Sequence, residues 1–183
     1  LQTNDSVAYD GWYIDDVNIG EATAAIPYPF FDNLESGTGH WLPSAWQVAT
    51  PGHSGSYSLR GYAHYAPPYI DVWNALTLAS TLDLWGARNP QLTFWHHYSG
   101  SELYVEVSDS YGHSGTWQRL ASYSGTQDNW VQGQVDLSEY AGLPNVRIRF
   151  VNSRYWSGEW FLDDVLIADG LPDIEVDPVS VDF

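Results

Sequence analysis

The amino-acid sequence predicts an all-β protein, a sandwich of antiparallel sheets, on three observations. Apolar and polar residues alternate at period two in many short runs, 16 glycines and 10 prolines punctuate those runs, and nothing in the chain calls for a long helix. With 183 residues, 44% hydrophobic and 16% aromatic, there is enough apolar surface for one packed domain plus appendages.

Strands are expected at residues 30–35, 57–60, 76–84, 91–98, 102–108, 117–123, 130–136, 146–151 and 160–167. Val146, Ile148 and Phe150 alternate with Arg147 and Arg149, the pattern of a half-buried antiparallel strand. Leu103, Val105 and Val107 alternate in the same way with Tyr104 and Glu106. Residues 109–115 read as a hairpin connection, and 136–142 as a single helical turn closed by Gly142.

An internal repeat sets the expected boundaries. Trp-Tyr-Ile-Asp-Asp-Val at 12–17 matches Trp-Phe-Leu-Asp-Asp-Val at 160–165, at an offset about the size of one domain. The second copy closes the domain, so the first is read as the closing strand of a preceding one, over residues 1–20. Residues 21–29 then form a linker in which Pro27 and Pro29 disfavour regular pairing, 30–169 the domain, and 170–183 a linker running into a following strand. An isolated amphipathic strand is not ordered in water. Trp12, Tyr13, Ile14, Val17 and Ile19 therefore need a partner: this module's own edge, a neighbouring subunit that accepts a donated strand, or the next copy in a run of repeats.

The charge is lopsided, with 23 acidic residues against 6 basic ones and a net charge of −17. Phosphate backbones and anionic lipid surfaces are repelled, which argues against nucleic-acid partners. Membrane insertion is not expected either, since no apolar run reaches the ~18 residues of a span. The acidity either keeps an extracellular protein soluble or marks specific cation binding. The chain has no Cys, so disulfides and thiolate metal sites are excluded.

Taken in order, the motifs resemble MAM-type jelly rolls, and more closely the MAM-like domains appended to immune-inhibitor-A-type secreted metallopeptidases and bacterial surface proteins. The residues that carry the resemblance are Phe-Asp-Asn-Leu-Glu-Ser-Gly at 31–37 with Trp41, His-Ser-Gly-Ser-Tyr-Ser-Leu at 53–59, and Leu-Thr-Phe-Trp-His-His-Tyr at 92–98. They continue through Val-Arg-Ile-Arg-Phe at 146–150 and Trp-Phe-Leu-Asp-Asp-Val at 160–165. The cysteines of the vertebrate pattern are missing. Residues 173–183 resemble the opening strand of an immunoglobulin-like domain. The resemblance implies a jelly-roll β-sandwich with an extra N-terminal strand and a C-terminal extension, secreted or displayed on a cell surface. It also implies adhesion, assembly or targeting rather than catalysis, with a structural cation.

Such a fold makes the first and last strands neighbours, which would bring Asp32 and Glu35 near Asp163 and Asp164, an all-oxygen set suited to Ca2+. Adjacent strand residues face opposite ways, so only one of Asp163 and Asp164 is a direct ligand unless the strand is bulged. For the same reason His96 and His97 cannot chelate one ion, and His96, which shares a face with Phe94 and Tyr98, reads as a partly buried, satisfied histidine. Residues 52–56 and 112–116 approach the Gly-x-Ser-x-Gly nucleophile motif, but each fails at its fifth position, and no catalytic residue is expected. Tyr62, Tyr65, Tyr69 and Trp73 make a ring-rich segment that either stacks on sugar faces or locks a long loop over the sandwich.

The function expected from the sequence is a non-catalytic structural or adhesive module of a secreted repeat protein, stabilised by Ca2+ and assembled into filaments by β-strand donation. Its partners would be copies of itself or adjacent domains. The alternative is a carbohydrate-binding appendage of an exported enzyme, with surface glycans as partners.

Overall fold

The computed structural model describes residues 24–63, 74–99, 102–152 and 158–170. Residues 1–20, with the proposed assembly strand, and the extension beyond 170 lie outside them. Eleven strands follow one another in the described chain: β1 (Phe30–Asp32), β2 (Trp41–Pro43), β3 (Trp46–Ala49), β4 (Ser58–Ala63), β5 (Asn74–Leu78), β6 (Pro90–Ser99), β7 (Leu103–Ser108), β8 (Gln118–Tyr123), β9 (Thr126–Asp136), β10 (Arg147–Asn152) and β11 (Gly158–Asp169). They form two antiparallel sheets. The first runs β3-β4-β11-β6-β9, with β1 also paired to β11, and the second runs β2-β5-β10-β7-β8. The all-β jelly-roll sandwich expected from the alternation is the fold observed.

The alternation places the core. In β6 Leu92, Phe94 and His96 are buried while Gln91, Thr93, Trp95 and His97 face outward, and in β10 Ile148 and Phe150 are buried between Arg147 and Arg149. Between the sheets Trp160 meets Trp46 at 5.7 Å and Phe150 at 5.6 Å, and Phe94 meets Phe150 at 5.0 Å. The packing needs two glycines. A Cβ on Gly61 would stand 2.6 Å from the Trp46 ring, and one on Gly133 2.5 Å from Phe94.

β7 departs from the expected half-burial, because all six of its residues are buried. The outer side chains are covered from neighbouring strands: the Arg119 guanidinium lies 3.3 Å from the Tyr104 ring centre, and Glu106 accepts a 2.8 Å hydrogen bond from Arg149 Nε. The run expected over 76–84 stops at Leu78, and Leu82 instead makes isolated bridges to Ile26 and Val146. The described part of the expected linker therefore lies along the sandwich. The chain bends at Tyr28 and Pro29 before entering β1, and the Ile26 amide donates to Thr81 O at 2.7 Å. The short strands β2 and β3 were not expected. The single turn closed by glycine is a 3-10 turn, Ser138–Tyr140, followed by Gly142 at φ +80°.

His96 is 2% exposed and its Nδ1 accepts from Trp160 Nε1 at 3.1 Å, so the ring is held neutral with its proton on Nε2. Burial, aided by neighbouring His97, lowers its pKa from 6.5 to about 4. As pH falls below 6.5 the unfolded chain takes up this proton and the folded one does not, so stability is lost on acidification down to about pH 4. The loss attributable to this group is about 3 kcal/mol. Chemical denaturation across that window should show the slope, and His96→Gln should flatten it.

Candidate functional site

The outer face of the first sheet is organised by β11. One edge of this strand pairs with β6 along its length, and the other is shared between β4, at Gly158–Leu162, and β1, at Val165–Ile167. At the junction the register against β6 breaks between Asp163 and Leu166, and Asp164 adopts φ +47°. This bulge shifts the inward phase by one residue, so that Trp160 and Leu162 before it and Val165 and Ile167 after it all face the core.

Both carboxylates at the bulge reach one loop, residues 52–57. Asp163 Oδ2 accepts from His53 N at 2.7 Å and Ser54 N at 3.2 Å, and its Oδ1 accepts from Asp164 N at 2.8 Å. Asp164 bonds the His53 ring at Nδ1, 2.8 Å away, and accepts from Ser54 Oγ at 2.7 Å. From the other side Glu35 Oε1 accepts from Ser56 N at 2.9 Å and Tyr57 N at 2.8 Å. So clamped, the loop lies as a strap on the outer face, with His53 stacked on Trp95 at 3.8 Å and edge-on to Trp130 at 5.8 Å. Asp163 is fully buried, and burial raises its pKa against the opposing pull of the backbone donors.

The four acids expected to hold Ca2+ are thus only partly brought together. β1 and β11 are neighbours, and the bulge lets both Asp163 and Asp164 face the strap. Asp32 serves elsewhere: its Oδ1 accepts from Leu34 N at 2.9 Å, and its Oδ2 contacts Trp41 Nε1 and His40 Nδ1, both at 3.0 Å. It caps the turn after β1 and is held there by these three contacts. As the side chains stand, no three His, Asp or Glu residues among those described gather closely enough to hold a metal ion.

Beside the strap runs a row of rings across four strands. Arg60 on β4 stands opposite Phe161 on β11, which stands opposite His97 on β6, with Trp130 of β9 next to it. His97 stacks on Phe161 at 4.3 Å and 8°, and meets Trp130 edge-on at 4.6 Å and 81°. Arg60 is ion-paired to Glu159 and lies 5.2 Å from the Tyr62 ring and 5.8 Å from Phe161. Phe161, His97 and Tyr98 wall a cleft of about 240 Å³ whose polar lining includes Asp128, Glu159 and Ser99, with Trp130 packed against His97 outside the lining. Burial lowers the His97 pKa, opposed by Glu159 and Asp128, which leaves a neutral imidazole in the wall at neutral pH.

Of the ring-rich segment singled out in the sequence, Tyr62 belongs to this face, while Tyr65, Tyr69 and Trp73 lie outside the described residues. Trp12, Tyr13, Ile14, Val17 and Ile19 also lie outside them. Sequence reasoning missed Phe161, His97 and Trp130. The signal was present in β6, where aromatic residues occupy both phases of the alternation and only one phase can be core.

No protein-family model matches the chain, and no curated protein sequence does. Solved structures do. The K2 cleaved adhesin domain of Lys-gingipain superposes with a TM-score of 0.60 at 15% identity, covering 76% of this chain and 99% of that one. The CBM22-1 xylan-binding domain of Xyn10C from Paenibacillus barcinonensis gives 0.55 at 17% identity, covering 81% and 100%. TmCBM61, solved with β-1,4-galactotriose, gives 0.51 at 19% identity, covering 75% and 94%. The likeness shows a jelly-roll fold. These are adhesin and carbohydrate-binding domains, and the MAM-like resemblance remains a reading of the motifs.

Asp163→Asn places an amide where a carboxylate receives backbone donors, leaving at least one buried N–H unpaired. Urea denaturation should show a loss of about 2 kcal/mol, and tryptophan emission should change as His53 leaves Trp95. Unchanged stability and emission would show that the strap does not depend on this carboxylate.

Proposed function

We propose that this chain is a non-catalytic glycan-binding module that takes a sugar in the ring-walled cleft at Phe161, His97 and Tyr98, with Trp130 buttressing His97 edge-on. The observation that carries the reading is the outward row of rings on the first sheet, with carboxylates beside it. A pyranose presents an apolar C–H surface and a rim of hydroxyls, and such a cleft offers rigid aromatic surface to the one and charged acceptors to the other. The net charge of −17 and the carboxylates of Asp128 and Glu159 favour neutral over anionic polysaccharides. Structural neighbours described as xylan-binding, or solved with a galactotriose, lend support. So does the gingipain adhesin likeness, which fits an extracellular setting. No helix among the described residues is long and apolar enough to cross a membrane. Assembly by strand donation would rest on residues 1–20 and gains no support from the described face.

Affinity electrophoresis in gels containing xylan or β-1,4-galactan tests the reading. The protein should be retarded, Phe161→Ala and Trp130→Ala should each reduce the retardation, and a polyuronate gel should leave mobility unchanged. Retardation that neither substitution reduces would reject the ring row as a site.

We also propose that Ca2+ reinforces the strap through Glu35, Asp163 and Asp164. These three side chains have no arginine partner among the described residues and converge on the same strap; Ca2+ would draw them closer than they now stand, in exchange for some of their hydrogen bonds to it. Asp32, turned to Leu34, His40 and Trp41, is left out of the set. EDTA should lower the melting midpoint by several degrees and added Ca2+ should restore it; an unchanged midpoint would remove the ion from the account.

A further inference from the structure

On the far side of the strap the same sheet face carries a second cleft, of about 350 Å³ and different chemistry. The strand registers order its floor, with Leu166 of β11 opposite Thr93 of β6 and Thr93 opposite Gln134 of β9, while Phe31 of β1 stands opposite Leu166, next to the lining. All four side chains point outward. Phe31 is 58% exposed and Leu166 38%, so two large apolar groups sit side by side in solvent at one end of a row that ends in an amide. Gln91 and Asn89 complete the polar wall.

The amides are already ordered. Gln134 Nε2 donates to Gln91 Oε1 at 3.3 Å, and Gln91 Nε2 donates to Asp136 Oδ1 at 3.1 Å. This relay holds Gln134 Oε1 and the Thr93 hydroxyl without partners among the described residues, one an acceptor and the other both donor and acceptor. No arginine, lysine or histidine lines the cleft. Its one carboxylate, Asp169, is engaged by Arg88 N, Asn89 N and the Tyr28 hydroxyl. A cleft with an apolar floor, fixed neutral amides and no cation suits an uncharged, hydroxyl-rich ligand and offers nothing to a carboxylate or a sulfate.

We propose that this amide-lined cleft is a second glycan site, selective for a neutral sugar and independent of the ring-walled cleft. In taking sugar as the ligand class the inference rests on the reading above. Independence follows from the strap: His53 stacks on Trp95, midway between Thr93 and His97 along β6. The two rows stand ~13 Å apart at the usual rise per residue, with a clamped loop between them. A short oligosaccharide therefore fills one cleft or the other, and one module bridges two glycan segments.

The experiment is an NMR titration of 15N-labelled protein with β-1,4-galactotriose and, separately, xylotriose. Two groups of amides should shift with separate saturation curves, one around Thr93, Leu166 and Gln134, the other around Phe161 and His97. Gln134→Ala and Phe31→Ala, both at exposed positions, should each weaken the first curve at least tenfold and leave the second unchanged, with Phe161→Ala doing the reverse. The dispersion of each variant's spectrum reports its fold directly. Shifts confined to Phe161 and His97, and insensitive to Gln134→Ala and Phe31→Ala, would overturn the second site and leave the first standing. Shifts confined to Thr93, Leu166 and Gln134 would overturn the ring-row reading and leave this one. Absence of shifts with either trisaccharide would overturn both.

Discussion

A strand whose side chains alternate strictly can serve only one core, and a slip of one residue would turn its whole apolar set to solvent. β11 spans twelve residues and shares one edge between β4 and β1, so it must stay in phase with partners that arrive from different parts of the chain. The extra residue at Asp163–Asp164 reconciles them. It opens the edge where β4 gives way to β1, and the loop before β4 leaves through that gap onto the outer face. The bulge, the strap and the two clefts on either side of it are consequences of that single register break.

The two outer faces of the sandwich are finished differently. On the second sheet Arg149 lies 4.1 Å from the Trp117 ring centre and pairs with Glu106, Arg119 covers Tyr104, and Arg147 donates to the carbonyls of Leu78 and Tyr111. Three of the chain's six basic residues are spent there satisfying their own neighbours. On the first sheet only Arg60 plays such a part, through Glu159. Its rings and amides meet water with much of their surface uncommitted, which is why a ligand face belongs on this side.

The fold was legible where period two held over a long run, as in β6 and β10. It was not legible in β2 and β3, which have three and four residues and are defined by Trp41 and Trp46 reaching the core rather than by alternation. The neighbouring carboxylates of residues 163 and 164 were visible as a pair, and the condition under which both would face one way, a bulge, could be stated in advance. That Asp32 would cap its own turn could not, because besides the Leu34 amide its partners are His40 and Trp41, eight and nine residues on. The ring row was hidden for a different reason: the alternation turned His97 away from the core side of His96 and Phe94, but only the observed register brings it opposite Phe161 and beside Trp130.

The strap also ties together distant parts of the chain. His53 N donates to the Asp163 carboxylate 110 residues away, and Glu35, which holds Ser56 and Tyr57, follows a strand that is itself paired with β11. Closing so long a span costs chain entropy that the seated strap must offset. A change that loosens β1 or the bulge of β11 therefore reaches both clefts at once, through the wall they share.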